Sequence, residues 1–205
     1  MKDIIFNFSD LDYEPKRFVN EWSSKYTYNL EHLYIDNIEN GLNNYESFIK
    51  LWGWKNGLPK FSEKKLKIIN SFWSNLNVLR ELRKTFSWEK FEETFKQSES
   101  SAGWIIYLLH IINKDDFPIW DLYARKFYNL YCNGIIIDET MNTENYSLYK
   151  NYYINWFNNF KTKNKLDGKK MSDAFFELGK FLKSIEGYPV TIYDYDDDKS
   201  IKLYF

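Results

Sequence analysis

Apolar side chains recur every three or four residues through the middle of the chain, which is the spacing of one face of an α-helix. This pattern predicts a mostly α-helical protein with a helical core at about residues 50–185. Ser62 and Ser87 precede such segments and are predicted to cap them, because a serine hydroxyl accepts from the free N–H groups of a first helical turn. Ser172 is predicted to open the last helix and Gly187 to close it.

The segment Trp104–Ile112 is apolar on nearly all sides, which predicts a helix buried among its neighbours. His110 lies within it and is interpreted as a hydrogen-bonded core residue. A later helix is predicted from the helical spacing of four aromatic residues, Tyr149, Tyr153, Trp156 and Phe160.

The two ends of the chain change to the alternation typical of β-strands. Short strands are predicted near residues 3–8, 190–195 and 201–205. We therefore expect one domain over residues 1–205, with a small β appendage built from both termini. The carboxylates of Asp194–Asp198 lack the glycine and distal glutamate of an EF-hand calcium loop, which favours a charged hairpin tip.

Composition excludes several classes of protein. The 42 aromatic residues among 205 supply a real hydrophobic core and exclude global disorder. A single cysteine excludes an intramolecular disulfide and any multi-cysteine zinc or iron–sulfur site, so we expect no metal and no cofactor. We find no secretory-signal pattern and no bilayer-length apolar stretch, so we expect a cytoplasmic protein with no membrane partner.

The formal net charge of −1 hides two basic segments. Residues 55–96 and 149–183 each carry a net charge of +5, and acidic stretches surround them. Two interpretations of these basic segments are consistent with the sequence. The lysines and arginines form solvated helix faces, or they form a stripe that faces the phosphates of a polyanion.

Candidate chemistry is concentrated in Phe117-Pro118-Ile119-Trp120-Asp121, which follows the predicted buried helix. Phe-Pro-Ile fixes an extended entry, and Asp121 then stands at the start of the next helix. One interpretation is helix capping, since aspartate is among the best N-cap residues. The other is a carboxylate placed at the mouth of a helical cleft to do chemistry.

The Phe117–Asp121 segment resembles the aspartate segment of helix–hairpin–helix (HhH-GPD) DNA glycosylases. It is similar to the endonuclease III and adenine glycosylase lineage and to bacterial relatives of 8-oxoguanine glycosylases. Leu109–Asn113, Trp54–Gly57 and Asp173–Lys180 are similar to further stretches of that group. The resemblance spans roughly residues 50–185 and implies two helical lobes, with the base pocket between them and Asp121 at its edge.

The same resemblance implies a function. It predicts a monomeric, monofunctional glycosylase that hydrolyses the N-glycosidic bond of a damaged or modified base flipped out of duplex DNA, with Asp121 as catalytic carboxylate. The product of this base excision is an abasic site. Bifunctional members carry a Schiff-base lysine, and the corresponding position here is Gly103, which implies that lyase activity is missing.

Further site residues are candidates only. Aromatic faces can line a pocket for a flipped base, although packing in the core is the alternative for each. The candidates for this pocket are Trp52, Trp54, Trp104, Trp120 and Tyr123. The candidates for binding DNA are Lys55, Asn56, Lys64, Lys65, Lys67, Ser100, Ser101, Gly103, Arg125 and Lys126.

One departure favours a second hypothesis. The stretch Gln97–Ser101 stands where the family has a glycine-rich hairpin, and it contains no glycine. Glycines let backbone amides approach a phosphate, so their absence favours a catalytically inactive relative that binds nucleic acid or a protein partner. A divergent hairpin also suits a bulky base, as in phage DNA with altered pyrimidines, which would give the protein a role in antiviral defence.

Overall fold

The computed structural model describes residues 4–7, 9–96, 101–133, 143–185, 190–194 and 199–203. These residues are mostly helical, as the sequence predicts. The helices are α1 (Ser9–Tyr13), α2 (Pro15–Ser23), α3 (Glu31–Ile35), α4 (Tyr45–Asn56), α5 (Glu63–Ser74), α6 (Leu76–Lys84), α7 (Trp88–Phe95), α8 (Ala102–Ile112), α9 (Leu122–Asn133), α10 (Thr143–Leu148), α11 (Ile154–Asn164) and α12 (Gly168–Ser184). Helices α1–α3 precede the predicted helical core, so the helical part is longer than the pattern indicated.

Three short strands pair into one sheet. They are β1 (Ile4–Asn7), β2 (Val190–Asp194) and β3 (Lys199–Leu203), in the order β1-β2-β3. Strand β1 runs parallel to β2 with Ile4 opposite Val190, and β3 runs antiparallel to β2 with Leu203 opposite Val190. Most of the predicted hairpin tip, residues 195–198, lies outside the described residues.

The predicted caps of α5 and α7 are confirmed. The Ser62 hydroxyl accepts from Lys65 N at 3.4 Å, and the Ser87 hydroxyl accepts from Lys90 N at 3.3 Å. Each cap satisfies an N–H group that has no partner inside its helix.

The predicted start of the last helix is wrong. Helix α12 begins at Gly168, because the Asp167 carboxylate accepts from Lys170 N at 2.8 Å and caps it there. Ser172 is buried inside the helix. Gly187, predicted to close this helix, lies outside the described residues.

The aromatic face predicted at residues 149–160 contains a change of helix type. Residues Tyr149–Tyr153 form a π-helical segment that runs directly into α11. Tyr149 and Tyr153 are both fully buried. Short π-helical segments within α-helices are uncommon and frequent at functional sites.

The chain divides into two units, each with its own core. Unit 1 comprises residues 1–26, 120–140 and 148–205, and unit 2 comprises residues 27–119 and 141–147. In unit 1, α12 packs so closely on α9 that a Cβ at Gly179 would lie 2.0 Å from the Tyr123 carbonyl oxygen. Glycine is therefore the residue that this helix contact accommodates.

In unit 2, α8 is the buried helix that the sequence predicts. Every residue of Ile105–Ile112 is buried, and the helix ends where Arg83 reaches its last carbonyl groups. The Arg83 guanidinium donates to Ile111 O at 2.7 Å and to Ile112 O at 3.0 Å. In the described part of the chain, no helix combines the length and the apolar character needed to cross a membrane.

Candidate active site

Asp121 stands at the N-terminus of α9 with its side chain half-buried. Its Oδ1 atom accepts from Tyr123 N and from Ala124 N, both at 2.8 Å. Two N–H groups at a helix N-terminus stabilise a carboxylate anion and fix its orientation. The capping interpretation is therefore confirmed, and the cap leaves a negative group held in one defined direction.

The loop before Asp121 is anchored in unit 2 through His110. His110 Nδ1 lies 2.6 Å from the Phe117 carbonyl oxygen, which can only accept, so Nδ1 donates. Nε2 lies 2.8 Å from the Tyr34 hydroxyl, which donates to it when the ring is neutral. The Phe117 ring packs against Phe86, with their centroids 4.6 Å apart. The interpretation of His110 as a hydrogen-bonded core residue is thus supported, and its task is to hold this loop.

Trp120 and Tyr153 are buried next to Asp121 in unit 1. Their ring centroids are 4.3 Å apart, and neither side chain is accessible to solvent beyond 1%. Burial and then the negative charge of Asp121 raise the pKa of the Tyr153 hydroxyl well above its ordinary value, so it stays protonated. We find no hydrogen-bond partner for this hydroxyl among the described residues.

Sequence reasoning identifies Tyr153 only as part of an aromatic face and gives it no place at the site. The sequence signal for Tyr153 is weak, because helical spacing predicts that a residue is buried but does not identify the residues against which it packs. In the structure, Tyr149 and Tyr153 both lie in the π-helical segment and are both buried.

Tyr123, a candidate for the base pocket, is half-buried two residues after Asp121. The rings of Tyr123 and Phe176 pack edge to face with their centroids 4.9 Å apart. The rings of Tyr26 and Phe176 also pack edge to face, at a centroid distance of 5.6 Å. Beyond them, the Lys169 ammonium lies 4.7 Å from the Tyr26 ring centroid and 2.6 Å from the Asp173 carboxylate. Tyr123 thus belongs to a packed cluster of unit 1.

The other pocket candidates, Trp52, Trp54 and Trp104, lie together in unit 2. Trp52 is fully buried and stacks on the half-buried Trp104 at a centroid distance of 4.7 Å. Trp54 is held by its indole N–H, which donates to the Glu31 carboxylate at 2.8 Å. Trp52 Nε1 finds no acceptor among the described residues.

Three candidates for binding DNA need correction. Arg125 and Lys126 are 3% and 0% exposed, because α9 is buried around its whole circumference from Ala124 to Leu130. A phosphate cannot reach side chains in that position, so Arg125 and Lys126 are not placed to bind DNA. Gly103 is likewise buried, in the first turn of α8. Ser101 is exposed at the start of that helix, and Ser100 lies outside the described residues.

The remaining candidates lie on α4 and α5 of unit 2. Lys64, Lys65 and Lys67 are exposed, but Lys65 donates to the side chain of Asn56. Asn56 also donates to Leu58 O at 3.1 Å, within the turn that Gly57 opens with a φ of 73°. Lys64 and Lys67 therefore remain the best placed candidates for contacts with phosphates.

Other cations of the basic segment at residues 55–96 stabilise the fold. Lys55 is half-buried with its ammonium 5.5 Å from the Tyr107 ring centroid. Arg80 donates to Leu42 O at 2.8 Å, and Arg83 donates to the end of α8. Lys90 pairs with Glu81 at 2.5 Å. The net charge of +5 therefore overstates the charge that a polyanion would meet on this segment.

Comparison of the chain with models of protein families, with curated proteins and with solved structures finds no match. In unit 1, Trp120 and Tyr153 pack together next to Asp121, which accepts from Tyr123 N. In unit 2, Trp52 stacks on Trp104, and both Trp52 and Trp54 contact Tyr107.

Proposed function

We propose that the protein is a monofunctional DNA glycosylase that hydrolyses the N-glycosidic bond of a damaged or modified base, with Asp121 as catalytic carboxylate. The observation that carries the proposal is the Asp121 carboxylate itself, half-exposed and held by two amides of α9 directly after Phe-Pro-Ile-Trp. We also propose a specific fold for the protein, namely two helical lobes of the HhH-GPD type with β1–β3 as a β appendage. As predicted from the sequence, we expect the protein to be a monomer that acts in the cytoplasm on a base flipped out of duplex DNA.

A fixed carboxylate suits this chemistry. When the bond between C1′ and the base nitrogen breaks, its electron pair leaves with the base and positive charge develops on the deoxyribose. An anion already oriented by the Tyr123 and Ala124 amides stabilises that charge without reorganising. Water then attacks C1′, and Asp121 can accept the proton that the water loses.

The absence of a suitable lysine predicts the form of the product. Helix α8 contains no lysine, and neither does any position from 98 to 112. We therefore expect base release to leave intact abasic sites that are cut only after added alkali or by a separate nuclease. Panels of duplex DNA carrying oxidised, alkylated or phage-type modified bases, analysed for free base and for strand breaks, test both statements.

Borohydride reduction provides the control, with a bifunctional glycosylase treated in parallel. A trapped adduct of this protein with DNA would contradict the monofunctional assignment, because trapping requires an amine that forms a Schiff base. Binding of duplex DNA without release of any base from the panel would favour the inactive, DNA-binding alternative.

A charge-reversal variant tests whether α5 faces DNA. Changing Lys64 and Lys67 together to Glu is expected to weaken DNA binding similarly for all sequences, because lysines that bind phosphates carry no sequence information. The salt dependence should become flatter, by about 0.9 in slope for each phosphate that α5 no longer neutralises. Binding titrations at several salt concentrations measure both effects.

The matched control changes Lys16 and Arg17 of α2 to Glu, which alters the net charge by the same amount at exposed positions outside both basic segments. Equal weakening in both variants would mean that only the total charge matters. Unchanged binding in the α5 variant would place the phosphate-binding face elsewhere.

A further inference from the structure

Unit 1 carries a groove that the proposed chemistry at Asp121 does not use. It lies on α11, has a volume of about 560 Å³ and is lined by Trp156, Asn159, Phe160, Thr162 and Lys163. Ligand sites for small molecules typically fall between about 300 and 1,000 Å³. The groove is therefore large enough for one nucleotide.

The floor of the groove is aromatic. The rings of Trp156 and Phe160 stack with their centroids 5.7 Å apart and their planes inclined by 24°. Both side chains are only half-buried, although each sits in a helix that packs on the core. A flat aromatic group can extend such a stack, and every nucleobase offers a face for it.

The rim of the groove is cationic and polar. Lys163 is exposed and belongs to the last turn of α11, beside Lys161 and just before the exposed Lys165. Helix α11 contains no acidic residue, and Asn159 and Thr162 supply exposed neutral hydrogen-bonding groups. Lysines in a last helical turn also complement the helix dipole, but that effect does not explain an aromatic floor beneath them.

We propose that this groove binds an unpaired nucleotide of single-stranded DNA, with its base stacked on Phe160 and Trp156 and its phosphate paired with Lys163. Charge and shape select the occupant together: the cation requires an anion, and the ring stack requires a flat aromatic group. The groove connects to the surroundings of Asp121 through a series of ring contacts, from Trp156 to Tyr153 at 5.8 Å and from Tyr153 to Trp120 at 4.3 Å. The proposal goes beyond the glycosylase activity and does not depend on it.

Fluorescence anisotropy with two labelled single strands of equal length tests the proposal, one of thymidines and one of base-free spacers. The wild type should bind the thymidine strand more tightly, by about 5- to 150-fold for one base stacked on an aromatic ring. Phe160→Leu keeps an apolar side chain but removes the ring, and should abolish this preference. Lys163→Glu should weaken binding of both strands and reduce the salt slope by about 0.7.

Two matched controls belong to the same unit. Tyr152→Leu removes a ring that is 62% exposed in the π-helical segment, and Lys183→Glu reverses an exposed lysine in the last turn of α12. Tyr152→Leu should keep the preference for bases, and Lys183→Glu should keep the affinity for both strands and the salt slope. Equal binding of the two wild-type strands, or equal losses in the control variants, would overturn the proposal, and so would equally effective competition by an acidic peptide.

The outcome is independent of the proposed catalysis because every readout is binding. A protein that prefers the thymidine strand but releases no base from any panel substrate would support the groove and contradict the glycosylase assignment. A protein that releases bases and binds both strands equally would give the opposite result.

Discussion

Replacing Asp121 by Asn is expected to lower the rate of base release about 100- to 1,000-fold, the usual cost of removing one preorganised electrostatic partner. The amide oxygen of Asn can still accept from Tyr123 N and Ala124 N, so the cap of α9 is kept. What disappears is the negative charge that stabilises the sugar cation and the group that accepts a proton from water. The variant should therefore fold normally, bind DNA with unchanged affinity and release almost no base.

Asp167→Asn is the matched control, because Asp167 also caps a helix by accepting from an N–H at 2.8 Å. Free-base release, DNA affinity and thermal unfolding should be measured for both variants beside the wild type. Full activity in Asp121→Asn would mean that this residue is only a cap. Equal losses of activity in both variants would mean that weakened caps, and not the chemistry at Asp121, explain the effect.

The largest effect on stability is expected from Gly179→Ala. The added Cβ would lie 2.0 Å from Tyr123 O and 2.5 Å from Tyr123 C, which are backbone atoms that cannot rotate away. Helices α9 and α12 would have to separate, and we expect a loss of about 3 kcal/mol in the free energy of unfolding, at the upper end for an overpacked site. Because Tyr123 N donates to Asp121, base release should fall as well.

Gly168→Ala provides the comparison within the same helix. The nearest atoms to its added Cβ are Lys161 Cδ at 3.4 Å and Phe157 Cε1 at 3.9 Å, which are ordinary contacts. Urea denaturation should place this variant within about 0.5 kcal/mol of the wild type, or slightly above it. A Gly179→Ala protein as stable as Gly168→Ala would contradict the close approach of α9 and α12.

Local features of the sequence predict several parts of the fold correctly. Ser62, Ser87 and Asp121 cap their helices because each bond joins residues no more than three positions apart. The same rule applies to Asp167, which the pattern does not single out because Ser172 offers a second capping residue four positions after the true first residue of the helix. Two capping residues close together leave the start of a helix ambiguous from the sequence, and in the structure the Asp167 cap marks it.

The presence of a charged residue in the sequence does not predict whether its side chain binds a partner or serves the fold. Arg125 and Lys126 are expected from the sequence to face DNA, yet both are buried in the central turns of α9. Arg80 and Arg83 belong to a basic segment but donate to carbonyl groups more than 25 residues away in the chain. A side chain that can snorkel or cap is not distinguishable, from sequence, from one that faces solvent.

By itself, the sequence determined the helical class, the buried helix α8 and the position of Asp121 at the start of a helix, because these depend on periodicity and on hydrogen bonds within one turn. The tertiary structure alone decided which cations are buried, that Tyr153 lies beside Trp120 and Asp121, and that Trp52 stacks on Trp104. Each of these depends on the arrangement of distant helices, and side-chain contacts between helices are not encoded in the pattern of either helix alone.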